Sequence, residues 1–216
     1  MSTDRARRAP ADDGLFIVGL VGRAGSGKST VARALERGGI PVIEADRLGH
    51  EVTDRDPEVR ARLMEEYGAE IYLADGALDR KRVGARVFAD PAALQRLNRL
   101  VHPRLLALLR ARLEALRSSG HRGTVVVDAA LMLDWGFERE CDAVIAVTAP
   151  ESEQIARLRR ARGWTEEQAR ARLAAQRTDA EFAAAADAVI ENRGRESELE
   201  AAALETLERL RSRPRR

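Results

Sequence analysis

The chain has 216 residues, 37 basic against 35 acidic, a formal net charge of +2 and 44% apolar residues. This fits one folded domain with at most a small inserted subdomain, and it is too apolar for a disordered chain. A single cysteine, Cys141, excludes an intrachain disulfide, and no apolar run reaches the roughly 18–20 residues of a membrane span. The polar segment Met1–Gly14 lacks the apolar stretch of a secretory signal. A soluble, cytoplasmic protein is expected, with a disordered extension over 1–14 and a loose tail over 211–216.

Only Lys28 and Lys81 are lysine, so 35 of the basic residues are arginine. They are spread through helical stretches beside glutamates, and aromatic residues make up only 4%. The basic balance therefore reads as solvated i,i+4 pairing, and neither a nucleic-acid nor a membrane partner is expected.

Leu15–Val21 is a continuous apolar run of the kind a buried parallel strand needs. A glycine-rich turn leads into a helix from Ser29 to Arg37, stopped by Gly38-Gly39. Pro41-Val42-Ile43 reads as a short second strand, its end extended through Glu44, Ala45 and Asp46. A helix over Pro57–Tyr67 stops at Gly68, and Asp75-Gly76 marks a turn. Asp90 caps a helix that Pro91 opens and that ends near Leu100; a separate helix is expected from Pro103 to Arg117. Thr124–Val127, Ala143–Val147 and Ala188–Ile190 are three further strands. Thr165 and Gln168 have the spacing of a capping box, and Glu196–Leu210 is a terminal amphipathic helix. Strands alternating with helices specify an α/β fold of three layers, with about five parallel strands covered on both faces.

Gly22-Arg23-Ala24-Gly25-Ser26-Gly27-Lys28-Ser29 satisfies G-x-x-x-x-G-K-[ST] between a strand and a helix, the context a P-loop requires. Glycines let the backbone wrap phosphate oxygens, and the helix N-terminus adds partial positive charge. In such a loop Lys28 reaches the β- and γ-phosphates and the Ser29 hydroxyl ligates Mg²⁺. A GTPase switch, an ATP-driven motor and a small-molecule kinase all use this cradle. The Asn-Lys-x-Asp motif of guanine-specific switches is absent, as is the Ser-Gly-Gly signature of transporter ATPases, which leaves a kinase as the leading class.

In an open parallel sheet the carboxyl ends of neighbouring strands open into one crevice. Glu44 and Asp46, i and i+2 of an extended segment, would then share a face toward the γ-phosphate. A kinase needs a carboxylate to accept or orient the proton of the acceptor hydroxyl, and Asp46 fits that role; a helix cap is the plainer alternative. Asp128, ending the Val-Val-Val strand, suits either a second Mg²⁺ ligand or a helix cap.

From about Leu15 to Leu210 these residues resemble the dephospho-coenzyme A kinase family. The resemblance is carried by Ala24–Thr30, Pro41-Val42-Ile43-Glu44-Ala45-Asp46, Leu78-Asp79-Arg80, Val87-Phe88-Ala89-Asp90-Pro91, His102-Pro103, Ala175-Gln176, Ala186-Asp187 and Val189-Ile190-Glu191-Asn192, in that order. It departs at Ala130-Leu131-Met132-Leu133-Asp134, where the family reads Pro-Leu-Leu-Phe-Glu, and at Glu44, where the family carries aspartate. The resemblance implies ATP-dependent phosphorylation of the 3′-hydroxyl of dephospho-coenzyme A, the last step in making coenzyme A, by a monomer or weak homo-oligomer. Another small-molecule kinase with a nucleoside or nucleotide acceptor, or a non-kinase ATP-binding protein, is the alternative.

It further implies that Asp46 and Lys28 are catalytic, and that Gly25, Ser26, Gly27, Lys28, Ser29, Thr30, Arg157 and Asn192 bind ATP. His102, Arg80 and Leu131 would bind the acceptor, and Ser29 and Asp128 would hold Mg²⁺. A core of 15–51 and 121–210 would carry an acceptor-binding helical insertion over about 52–117 and a lid over about 150–180. Between Arg157 and Arg177 arginine occurs at roughly twice its density in the whole chain, as a lid over a transferring phosphoryl group would need.

Overall fold

A computed structural model of the chain describes residues 14–212. The expected extension and tail therefore fall, apart from Gly14, Arg211 and Ser212, outside the described residues. In chain order, β1 (Leu15–Val21) runs into α1 (Lys28–Arg37) and β2 (Val42–Glu44), followed by α2 (Ala45–Arg55), α3 (Pro57–Tyr67), α4 (Arg80–Ala89) and α5 (Pro91–Ser118). Then come β3 (Gly123–Asp128), the short α6 (Met132–Trp135), β4 (Ala143–Thr148), α7 (Glu151–Arg162), α8 (Glu166–Ala174) and α9 (Asp179–Ala185). β5 (Ala188–Glu191) and α10 (Glu196–Arg211) complete the order. Residues up to Ile43 and from Gly120 onward form one compact unit, and Glu44–Ser119 form another.

The first unit is a single five-stranded parallel sheet in the order β2-β3-β1-β4-β5, with helices, as the alternating pattern of strands and helices specifies. Alternation along β1 divides its faces. Val18 and Leu20 pack with Val31 and Leu35 of α1 and with Leu199, Ala203 and Leu207 of α10. On the other face Gly19 lies so close to Met132 and Cys141 that a Cβ there would strike the Met132 sulfur. Register is pinned twice by the same device. The Asp142 carboxylate accepts from the Ile17 N–H at 2.7 Å while Asp142 N–H donates to Ile17 O at 2.8 Å, and Asp187 repeats both bonds with Val144.

The second unit is helical, and it corrects two expectations. Glu44 is extended (φ −83°, ψ 108°) but caps α2, so Asp46 lies in a first helical turn, not on a strand face beside Glu44. Ala45, Leu48 and Val52 are buried at helical spacing. That period outweighs the two-residue alternation read from Glu44 and Asp46. The second correction is α5, one helix across Pro103 where two were expected. Ala93, Val101, Leu105, Leu109 and Leu113 form a buried stripe that continues through the proline. Burying each large side chain is worth about 1.5–3 kcal/mol, which together exceeds the roughly 3 kcal/mol an interior proline costs. Arg104 Nη1 donates to Leu100 O at 3.1 Å and covers part of the disturbed turn.

Candidate active site

The loop between β1 and α1 is built on positive φ. Gly25 (φ +78°) and Gly27 (φ +102°) hold left-handed conformations that disfavour side chains. Space forbids them as well: a Cβ on Gly25 would come within 2.7 Å of Gln154 O, and one on Gly27 would strike Asn192 Nδ2. Asn192 Nδ2 donates to Ser26 O at 2.8 Å, and Arg157 Nη1 donates to Gly25 O at 3.1 Å and Ser26 O at 3.4 Å. Arg157 Nη2 in turn donates to Asn192 Oδ1 at 3.2 Å. In a trans peptide the N–H lies opposite the carbonyl, so pinning Ser26 O outward turns the Gly27 N–H to the concave side. The Gly27 carbonyl accepts from Thr30 and Val31 N–H at 2.9 and 3.2 Å, which directs the Lys28 N–H out along the start of α1. An anion meets two N–H groups and a helix N-terminus there.

Lys28 Nζ pairs with the carboxylate of Asp128, a buried residue at the end of β3. Ser29 is exposed at the start of α1, and the Thr30 hydroxyl accepts from Arg33 Nη2 at 3.2 Å. Asp128 and Ser29 supply a carboxylate and a hydroxyl, the hard oxygen donors Mg²⁺ prefers when substrate phosphates complete its shell. The donor set fits that ion. Among the described residues no three His, Cys, Asp or Glu side chains are gathered to hold a metal without such help.

Two helices, α7 and α8, and the segment that follows α8 brace the loop. Ile155 and Leu158 of α7 pack with Ala169 and Leu173 of α8, and Ala24 and Trp164 rest on this cluster. The capping box of Thr165 and Gln168 starts α8, as its spacing predicts. Arg23 Nη2 donates to Leu173 O at 2.8 Å, and Ala24 N–H donates to Gln176 Oε1 at 3.0 Å. Arg170 pairs with Glu151 and Glu166, and Arg177 with Asp134, whereas Arg159, Arg160, Arg162 and Arg172 are exposed.

In the second unit Asp46 is exposed, and Glu44 is engaged by Arg47 at 3.1 Å. Asp54 ties the unit together: it accepts from Leu78 N–H at 2.9 Å and from Arg80 Nη2 at 2.9 and 2.7 Å. Burial opposes ionisation of Asp54, but the Leu78 N–H and the Arg80 guanidinium outweigh it and hold the carboxyl below its ordinary value. His50 is held below its ordinary value by burial first and by Arg80 second, against Asp46 and Asp54. A cavity of about 370 Å³ opens here, lined by Leu78, Val87 and Val101 with His50, Arg80 and Asn98 as polar points. Of the three residues expected at the acceptor, Arg80 lines this cavity. His102 sits further along α5 and does not line it, and Leu131 is exposed just before α6 in the first unit.

Residues 16–198 match the sequence model of the dephospho-CoA kinase family. The chain belongs to this family. It is 41% identical over 197 residues to the dephospho-CoA kinase of Thermobifida fusca, covering 91% of this chain and 96% of that one. It is 42% identical over 178 residues to that of Anaeromyxobacter dehalogenans, covering 82% and 84%. A crystal structure of a Thermus thermophilus protein superposes with a TM-score of 0.75 at 33% identity, over 90% of this chain and 97% of that chain. A dephospho-CoA kinase from Campylobacter jejuni, 20% identical, shares the fold with a TM-score of 0.62 over 91% and 97%. Among the described residues no helix is long and apolar enough to cross a membrane.

Within this dephospho-CoA kinase family member, four residues matter that sequence reasoning left without a role. Gln176 appeared there only as half of an Ala-Gln pair, and its bond to Ala24 N–H is invisible without the fold. Arg23, Gln154 and Asp54 gave no local signal, because their partners lie 150, 25 and 26 residues away.

Proposed function

We propose that the chain transfers the γ-phosphoryl group of ATP to the 3′-hydroxyl of dephospho-coenzyme A, giving coenzyme A and ADP. The observation that carries this is the cradle, with Lys28 and Asp128 at its mouth, in a chain whose family is dephospho-CoA kinase. Gly27 and Lys28 N–H groups and the Lys28 ammonium hold the ATP phosphates, and Arg157 and Asn192 keep the loop in shape from behind. Ser29 and Asp128 hold Mg²⁺, which supplies charge neutralisation at the β- and γ-phosphates.

Asp46 accepts the proton of the acceptor hydroxyl or orients it for attack. The helical unit Glu44–Ser119 carries the acceptor, its cavity with Arg80 and His50 taking part of that molecule, and α7–α9 serve as the lid. His102 and Leu131 contribute to the acceptor from outside the cavity. The reaction takes place in the cytoplasm, in keeping with charged substrates that do not cross a membrane unaided and so stay in the compartment that makes them. Coupled ADP release, measured with dephospho-coenzyme A, nucleoside monophosphates, shikimate and no acceptor, tests the proposal. ADP release that requires dephospho-coenzyme A supports it; equal release without acceptor, or preference for a nucleotide, overturns it.

A further inference from the structure

Behind the cradle lies a side-chain pair that phosphoryl transfer does not use. Gln154 on α7 is 0% exposed. Its Nε2 donates to Ala149 O at 2.7 Å and to Oδ2 of Asp179, the first residue of α9. A carbonyl accepts only from the nitrogen end of an amide, so the Ala149 bond fixes the orientation of the Gln154 side chain. Both Nε2 protons are then used. Gln154 Oε1 and Asp179 Oδ1 remain, and both are buried with no hydrogen-bond partner among the described residues. Two orphaned acceptors on a contacting pair of side chains are doubly unfavourable, and one proton placed between them satisfies both.

We propose that Asp179 is held as the neutral carboxylic acid, its Oδ1–H donated to Gln154 Oε1, so that the two side chains close into an amide–acid pair that positions α7 and α9 against the phosphate cradle. The surroundings are consistent with this. Burial pushes the Asp179 carboxyl above its ordinary value and outweighs Gln154, the Ala149 N–H and the Arg23 guanidinium, which favour the charged form; Glu151 on α7 disfavours it. Arg177 and Glu181, its charged chain neighbours, turn instead to Asp134 and Thr178.

The pair also stands where it can act on the loop. Gln154 O lies 2.7 Å from where a Gly25 Cβ would be, and the segment leading to Asp179 supplies Leu173 O to Arg23 and Gln176 to Ala24 N–H. Removing the proton sets a carboxylate against Gln154 Oε1 and loosens this support. Gln154 and Asp179 are positioning residues, one step removed from the nucleotide.

The kinetic consequence rests on the ATP-binding reading of the cradle, and the spectroscopic one does not. Infrared spectra of the full chain at neutral pH should show a protonated-carboxyl C=O band that disappears in Asp179→Asn. Asn can donate from Nδ2 in place of the acid O–H, so Asp179→Asn should keep KM for ATP within about twofold of the parent, whereas Asp179→Ala and Gln154→Ala raise it on the order of tenfold with a smaller change in kcat. KM for ATP should rise toward alkaline pH in the parent and stay flat in Asp179→Asn. Absence of the band in the parent, as for an ionised Asp179 bridged by water, overturns the proposal, and so does an Asn variant as impaired as the Ala variant. If the Ala variants fail to fold, the band and the Asn variant still decide. A parent protein that binds no ATP would defeat the functional reading and leave the band to judge the pair.

Discussion

Lys28 and Asp128 form an ion pair across 100 positions of sequence, joining the start of α1 to the end of β3. The lysine is half-buried, so its ammonium is already oriented by a carboxylate before any phosphate arrives. Removing this charge should be severe, because a preorganised cation facing developing phosphoryl charge is worth on the order of 10²–10³-fold in turnover. Lys28→Ala should lose that much and weaken ATP binding. Lys28→Arg should fail too, since a planar fork does not fit where a point charge sits on a carboxylate. Steady-state kinetics with ATP-binding calorimetry checks both, and near-normal turnover in either variant would remove Lys28 from the mechanism.

The Asp54–Arg80–His50 group predicts how acid acts on the helical unit. Asp54 binds its proton less readily folded than unfolded, so its stabilisation is full above the ordinary value of 3.8 and is lost as pH falls through its lowered value. His50 is also lowered, from 6.5, so the unfolded chain takes up that proton first and stability begins to fall as pH drops below 6.5. Asp54→Asn should cost about 1.5–3 kcal/mol at pH 7, the range for a hydrogen bond to a charged group. The deficit should shrink as the parent is acidified below about pH 4. Thermal melts of both proteins from pH 7 to pH 3 check this, and a deficit independent of pH would contradict it.

How far the sequence could be read depended on how local each signal was. β1, α1 and the glycines between them were legible because strand, turn and helix signals adjoin within one stretch. The order β2-β3-β1-β4-β5 was not, since parallel pairing leaves no mark on either partner. The break expected at Pro103 follows local proline chemistry, and the continuous α5 follows burial, which only tertiary structure reveals. At the site, Lys28 and Ser29 could be placed by motif, whereas the bracing by Gln154, Gln176 and Arg23 joins residues that sequence spacing does not connect.

Pro103 lies exposed within α5, where it withholds one helical N–H and crowds the carbonyl of Arg99. Pro103→Ala should therefore stabilise the helical unit. The gain is smaller than the full roughly 3 kcal/mol of an interior proline, because proline also restricts the unfolded chain by about 0.4–1 kcal/mol. A net gain of about 2 kcal/mol is expected in denaturant unfolding. A destabilised variant would show that the proline shapes a bend the unit needs.

Asp46 and Glu44 give the prediction that separates a kinase from a protein that merely holds ATP. Glu44 ends β2 and Asp46 follows two residues later in α2, so the structure gives the two carboxylates different circumstances. Glu44 is extended and held by Arg47 at 3.1 Å, whereas Asp46 is exposed in the first turn of α2. Asp46→Asn preserves size and shape while removing the charge and the proton-accepting site. Contributions of this kind are worth about 10²–10⁴-fold, so Asp46→Asn should bind ATP about as well as the parent yet lose most turnover with dephospho-coenzyme A. Glu44→Gln should cost far less, because its partner is a surface arginine and an amide can still accept from it. Steady-state kinetics and ATP binding on both variants decide. A fully active Asp46→Asn beside a dead Glu44→Gln would move the catalytic role to Glu44, and full activity in both would place the acceptor's proton with another residue altogether.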